Sequence, residues 1–216
     1  MTAIPAPEVC KRCEKAMDLC VCDAIEPVDT EVAVVILRHP QEQDRTLGTA
    51  RIATLQLKNS LLKTGLSWRN LEQVLGQKVD PKLWGVLYLG TAKTPHLEET
   101  LTVLTKKGDI AEEQDRTLRT LQGIILLDGN WQQAKNLWWR NAWMLKCRRI
   151  VLNPPRPSYY GYLRKEPRRE SVSTIEAAAY ALAALEGNER LPERILRPFH
   201  ALLDKARDRG SAKKAD

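Results

Sequence analysis

Four short apolar runs constrain this chain more than any other feature. They cover residues 32–37 (Val-Ala-Val-Val-Ile-Leu), 84–89, 123–127 (Gly-Ile-Ile-Leu-Leu) and 149–152. Runs this short, mostly apolar and lacking a regular polar alternation, suit strands covered on both faces. Between them the apolar spacing turns helical. A helix is expected over 49–62, with Ile52, Leu55, Asn59 and Leu62 on one face, and another after Pro95, marked by Leu97, Leu101 and Leu104. Further helices are expected over 131–145, over the alanine-rich stretch 174–185 closed by Gly187-Asn188, and from about Pro192 onward. Pro154, Pro155 and Pro157 open a long loop that runs to Ser173. Strands alternating with helices predict an α/β fold, a mostly parallel sheet flanked by helices. Open sheets of that kind take ligands beyond the carboxyl ends of their strands. The ends to inspect are therefore Arg38-His39-Pro40, Leu89-Gly90-Thr91 and Asp128-Gly129-Asn130.

The 216 residues suffice for one cored domain with an appendage. The expected division is a cysteine-rich segment over 1–28, a catalytic domain over 29–204 and a basic tail over 205–216. No apolar run approaches the roughly 18 residues of a membrane span, and residues 1–9 do not read as a secretory signal, so the expected location is cytoplasmic with no membrane partner. The formal net charge of +7 favours a polyanion. Its basic groups are clustered: Arg164, Lys165, Arg168 and Arg169 in one loop, Lys146, Arg148 and Arg149 in another group, and the C-terminal residues.

Four of the five cysteines form the pattern Cys10-x2-Cys13-x6-Cys20-x-Cys22. Without a secretory signal, a metal site is the natural use of such a cluster. Four thiolates saturate tetrahedral zinc, leave no position for water and make the site structural. The one-residue spacer of Cys20 and Cys22 is tighter than usual, and the alternatives are an iron–sulfur cluster, whose common spacings differ, or no metal. Cys147 stands alone and reads as a core or edge thiol.

Asp128-Gly129-Asn130-Trp131 follows the third run directly. Asn130 is a good N-cap, with Gln133 three residues on. Asp128 is then free of capping duty and faces the positive pole of a helix, which favours its ionised form. Gly129 permits a sharp turn or a close approach. Trp131, Ala134, Trp138, Ala142 and Leu145 recur at helical spacing as a core stripe. Trp131, in the first turn, is also placed to stack on an adenine or a base.

Asp128-Gly129-Asn130-Trp131 resembles the motif that gives the DTW-domain proteins their name, with Asn130 where the name expects threonine; both residues cap helices well. Three further blocks fit in the same order. His39-Pro40-Gln41-Glu42-Gln43-Asp44-Arg45 with Thr49-Ala50-Arg51 is similar to the first block of the family, Leu87-Tyr88-Leu89-Gly90 to its middle strand, and Ser173-Thr174-Ile175-Glu176-Ala177 to its last motif. The cysteine group is similar to that of bacterial members. The resemblance runs from about Cys10 to Leu185.

The resemblance implies a SPOUT-like fold with a deep trefoil knot. It also implies transfer of the 3-amino-3-carboxypropyl group of S-adenosylmethionine to N3 of a tRNA uridine, in the variable loop by analogy with bacterial relatives, with methylthioadenosine released. Asp128 is the candidate to accept or orient the N3 proton; holding the amino group of the co-substrate, or bonding loop amides, are its other possible roles. Co-substrate binding is expected of Tyr88, Leu89, Gly90, Asp128, Gly129, Asn130, Trp131, Ser173, Thr174 and Glu176, although Ser173-x-x-Glu176 is also a capping box. RNA contact is expected of Arg38, His39, Arg45, Arg51, Tyr159, Tyr160, Arg164, Lys165, Arg168 and Arg169, with Tyr162 nearby. Structural zinc is expected at Cys10, Cys13, Cys20 and Cys22. The competing possibilities are a SPOUT-type RNA methyltransferase and a non-catalytic, zinc-bearing RNA-binding module. Oligomeric state is open, with a monomer favoured.

Overall fold

The computed structural model describes residues 8–42, 46–87, 99–164 and 171–212, with side chains through residue 210. One sheet organises the chain. Its strands are β1 (Ala33–Arg38), β2 (Ser60–Thr64), β3 (Trp84–Leu87), β4 (Leu101–Leu104), β5 (Gly123–Asp128) and β6 (Arg148–Leu152), in the order β2-β1-β5-β3-β6-β4. Every neighbouring pair is parallel except β4 with β6, so one antiparallel strand closes an otherwise parallel sheet.

The central strands show why the apolar runs lack alternation. Val34, Ile36, Ile124 and Leu126 point into one core, and Val35, Leu37 and Ile125 into the other. The first core is covered by α1 (Ala50–Gln56), α5 (Thr174–Glu186) and α6 (Leu191–Ala212), through side chains such as Ile52, Ile175, Leu182, Phe199 and Leu202. The second is covered by α2 (Leu71–Leu75) and by the 3-10 turn Ala142–Lys146, through Leu71, Val74, Trp143 and Met144, with Trp138 of α4 (Trp131–Arg140) packed beside them. A short α3 (Gln114–Arg119) follows β4. Side chains alternate across a strand, so a strand buried on both faces needs apolar residues at every position.

Several expected elements are corrected. The helix expected over 49–62 ends at Gln56, and 60–64 is the strand β2 on the edge of the sheet. Ser60 Oγ donates to the Leu57 carbonyl at 2.6 Å as the chain leaves the helix, and β2 takes up the open edge of β1. Leu101 and Leu104 belong to β4, not to a helix; Leu97 lies outside the described residues. The helix at 131–145 stops at Arg140, where buried Asn141 leaves helical geometry. Its Nδ2 donates to the carbonyls of Leu137 (2.8 Å) and Leu66 (3.0 Å), while its Oδ1 accepts from Trp68 N (2.8 Å) and Trp143 Nε1 (3.1 Å). The fully buried positions of α4 are thus Ala134 and Leu137, whereas Trp131 and Leu145 of the expected core stripe are exposed. Finally, α6 carries helical structure through the expected tail to Ala212, and Lys205 and Arg209 turn back onto the cysteine segment, at the Cys20 carbonyl and the Asp18 carboxylate. Among the described residues no helix is long and apolar enough to cross a membrane.

Candidate active site and cysteine cluster

The carboxyl ends of all the parallel strands open into a single cavity of about 590 Å³, within the range of small-molecule sites. Thr64, Arg38, Asp128, Leu87 and Leu152, the last residues of β2, β1, β5, β3 and β6, all line it. The position follows from the fold: strand ends present backbone and side chains where the helices have turned away.

Asp128 is nearly buried at this opening. Its Oδ1 accepts from Thr174 Oγ1 at 2.6 Å and its Oδ2 from Arg38 Nε at 3.2 Å. Arg38 lies directly across the β1–β5 ladder from it, so the register of two strands makes the pair. Burial pushes the Asp128 carboxyl above the usual carboxylate range, against the opposing pull of the Thr174 hydroxyl and the Arg38 guanidinium. Burial thus works against the ionised form that the helix pole, Arg38 and Thr174 favour. Desolvation outweighs the favourable partners, and proton affinity rises toward what a general base needs.

Gly129 makes the turn with φ +151°, and a Cβ there would lie 2.8 Å from Gln133 Cβ. Asn130 then caps α4: its Oδ1 accepts from Gln133 N at 3.0 Å, and Gln133 Oε1 accepts from Asn130 N at 2.7 Å. Gln133 Nε2 also donates to the Gln41 carbonyl, tying the start of α4 to the loop after β1. Trp131, 41% exposed, lies on the cavity wall.

Ser173 caps α5 and reaches the cavity with Thr174, but Glu176 does not. Fully buried, the Glu176 carboxylate accepts from Ser173 N (2.7 Å), Ser173 Oγ (2.6 Å), Ser158 Oγ (2.7 Å) and Tyr159 N (2.8 Å). Its contacts fix the loop at 158–160 to the N-terminus of α5. Tyr160 is buried as well: it is 1% exposed, its ring lies edge-on to Phe199 and its hydroxyl donates to the Leu47 carbonyl, at the inner lining of the cavity and away from the outer surface. His39 is likewise buried, and its Nδ1 accepts from Gln41 N, which shapes the turn after β1. Tyr159 is half-buried against His200. Arg38, Arg51 and Arg164 all reach the cavity. Tyr88, Leu89, Gly90, Arg45, Lys165, Arg168 and Arg169 lie outside the described residues.

One wall was not foreseen. Cys13, Glu14 and Lys15 of the cysteine segment line the cavity. Lys15 is buried with its Nζ on the Gly48 carbonyl at 2.6 Å, and Glu14, at φ +61°, pairs with Arg38 at 3.6 Å and Arg51 at 3.5 Å. The contact joins segments more than thirty residues apart, so no local pattern in the sequence marks it.

The Sγ atoms of Cys10, Cys13, Cys20 and Cys22 all lie within 4.8 Å of one another. Cys10–Cys22 and Cys13–Cys20 are 3.6 and 3.7 Å apart. Sulfurs bound at ~2.3 Å around a tetrahedral centre stand ~3.8 Å apart, so the cluster fits zinc. Backbone N–H groups of Cys13 and Arg12 pull the Cys10 thiol down to about 6. Cys147, by contrast, is a buried core thiol pushed up to about 12.

Comparisons with known proteins identify the family. The DTW domain family matches residues 7–207. The chain is similar to tRNA-uridine aminocarboxypropyltransferase 2 of Mus musculus (30% identity over 200 residues, 89% of this chain and 61% of the relative). It is similar to the proteins of the same name from Macaca fascicularis (28%, covering 89% and 61%) and Drosophila melanogaster (25%, covering 94% and 76%). The chain thus spans 61% of the length of its two mammalian relatives. The likeness of the cysteine group to bacterial members rests on its sequence pattern alone. No solved structure matches. With its family match running from residue 7 to residue 207, the chain belongs to the DTW-domain family.

Proposed function

We propose that this protein transfers the 3-amino-3-carboxypropyl group of S-adenosylmethionine to N3 of a tRNA uridine, in the variable loop, and releases methylthioadenosine. The observation that carries the proposal is the buried carboxylate of Asp128, raised in proton affinity, at the mouth of a cavity built from the strand ends. The relatives named for this activity toward tRNA uridine support it. Bound there, S-adenosylmethionine supplies a sulfonium whose methionine-chain carbon is the electrophile.

The work of the chain is to orient and to take a proton. Asp128 Oδ accepts the N3 proton as the N3–C bond forms and the C–S bond breaks, so the sulfur leaves as a neutral thioether. Arg38 and Thr174 hold the carboxylate at a fixed angle. Choosing the chain carbon over the methyl is a matter of position, and Ser173, Thr174, Gly129, Asn130 and Trp131 on the wall set that position. Glu176 acts one step back, by fixing the loop at 158–160. Arg51 and Arg164, with the basic loop that includes Lys165, Arg168 and Arg169, take RNA phosphates.

Cys10, Cys13, Cys20 and Cys22 hold structural zinc, which fixes the cavity wall at Glu14 and Lys15. A SPOUT-like threading through a deep trefoil knot, a monomeric state and a cytoplasmic location belong to the same proposal. The test is incubation with tRNA and S-adenosylmethionine, followed by mass analysis of both nucleoside products. S-adenosylhomocysteine as the sole co-product establishes methyl transfer instead.

A further inference from the structure

The outward face of α4 is unusual for a water-facing helix. Trp131, Lys135 and Trp139 recur at intervals of four, so they stand in a row about 12 Å long at 1.5 Å rise per residue. All three are exposed, Trp139 by 70%. Gln132 and Arg140 complete the exposed face, while Ala134 and Leu137 make the buried one. Trp139 contributes little to the core, which leaves its indole face open to a stacking partner. One end of the row, Trp131, lies on the wall of the cavity.

Charge completes the picture. From Gly129 to Arg164 the sequence has no Asp or Glu, yet it carries Lys135, Arg140, Lys146, Arg148, Arg149 and Arg156. An acid-free stretch with two exposed indoles is complementary to a polyanion that has flat, stackable faces, which is single-stranded nucleic acid.

We propose that the outward face of α4 binds the single-stranded RNA that flanks the reacting uridine. A flanking base stacks on Trp139, and Lys135 and Arg140 neutralise the adjoining phosphates. Trp131 marks the end at which the chain enters the cavity. The inference rests on the proposed action on tRNA and adds the docking surface for that substrate.

The test compares wild type with W139A, W139F and K135A. Affinity is measured for an unmodified tRNA transcript at several salt concentrations, S-adenosylmethionine affinity by calorimetry, and mass by sedimentation. W139A is expected to weaken tRNA binding at least about five-fold, the lower end of what one base–aromatic stack supplies. W139F should recover most of that loss. K135A should lower the slope of log affinity against log salt by a little under one unit. S-adenosylmethionine affinity should be unchanged throughout. Wild-type affinity for tRNA with no loss in W139A overturns the docking surface alone. A wild-type protein that binds no tRNA overturns the proposed function with it. A W139A effect confined to a dimer-to-monomer shift, with tRNA affinity preserved, assigns the face to a second copy and refutes the inference.

Discussion

Replacing Glu176 by alanine should destabilise this protein severely, although the residue does not line the cavity. The carboxylate is fully buried and receives four hydrogen bonds, two of them from the backbone N–H groups of Ser173 and Tyr159. The serine hydroxyls can rotate toward other acceptors, but the backbone donors are fixed. Each N–H left unsatisfied costs about 1–3 kcal/mol, and the lost N-cap partner at Ser173 adds about 1 kcal/mol. The sum is on the order of 3–7 kcal/mol. For a chain of this size each kcal/mol lowers Tm by roughly 2–4 °C, so Tm should fall by at least about 6 °C. Scanning calorimetry with and without S-adenosylmethionine is the assay. A Tm within about 2 °C of wild type, together with lost co-substrate affinity, would show that Glu176 faces the ligand and that its anchoring role is wrong.

Three other substitutions probe Asp128, Gly129 and the cysteine cluster. D128N should reduce the rate of tRNA modification by about 10²–10⁴-fold in a single-turnover assay. Because burial raises the Asp128 pKa in the folded state, wild type loses stability as pH rises from the unfolded value near 3.8 through the folded one; D128N should escape that loss, so its Tm advantage should grow with pH above about 4. G129A combines a left-handed φ with a contact to Gln133, and should cost about 1–3 kcal/mol, read as a lower urea midpoint. C13S, or a strong chelator, should release bound zinc in a colorimetric assay and loosen the wall at Glu14 and Lys15, detectable as faster amide exchange over 46–51.

The central strands were legible because strands buried on both faces must be apolar throughout, as in 32–37 and 123–127. The caps at Asn130 and Ser173 were legible because capping is local chemistry, written within three residues. β2 and β4 were not. Leu62 continued the spacing of Ile52 and Leu55, and Leu101 and Leu104 are three apart, so short runs that pair only with distant partners looked helical. The role of Tyr160 was hidden for a similar reason: its burial depends on Phe199 and Leu47, far away in sequence. Asp128 was identified as the residue of interest, but the sign of its pKa shift was not, since desolvation is a property of the folded surroundings.

The most direct measurement of the central claim is mass analysis of tRNA nucleosides and of the small-molecule co-product after reaction with S-adenosylmethionine, for wild type and D128N side by side. Wild type should form a uridine carrying the aminocarboxypropyl group on N3 in equal amount with methylthioadenosine, and D128N should form almost none. Unmodified tRNA with wild type, S-adenosylhomocysteine as the co-product, or full activity in D128N would each contradict it.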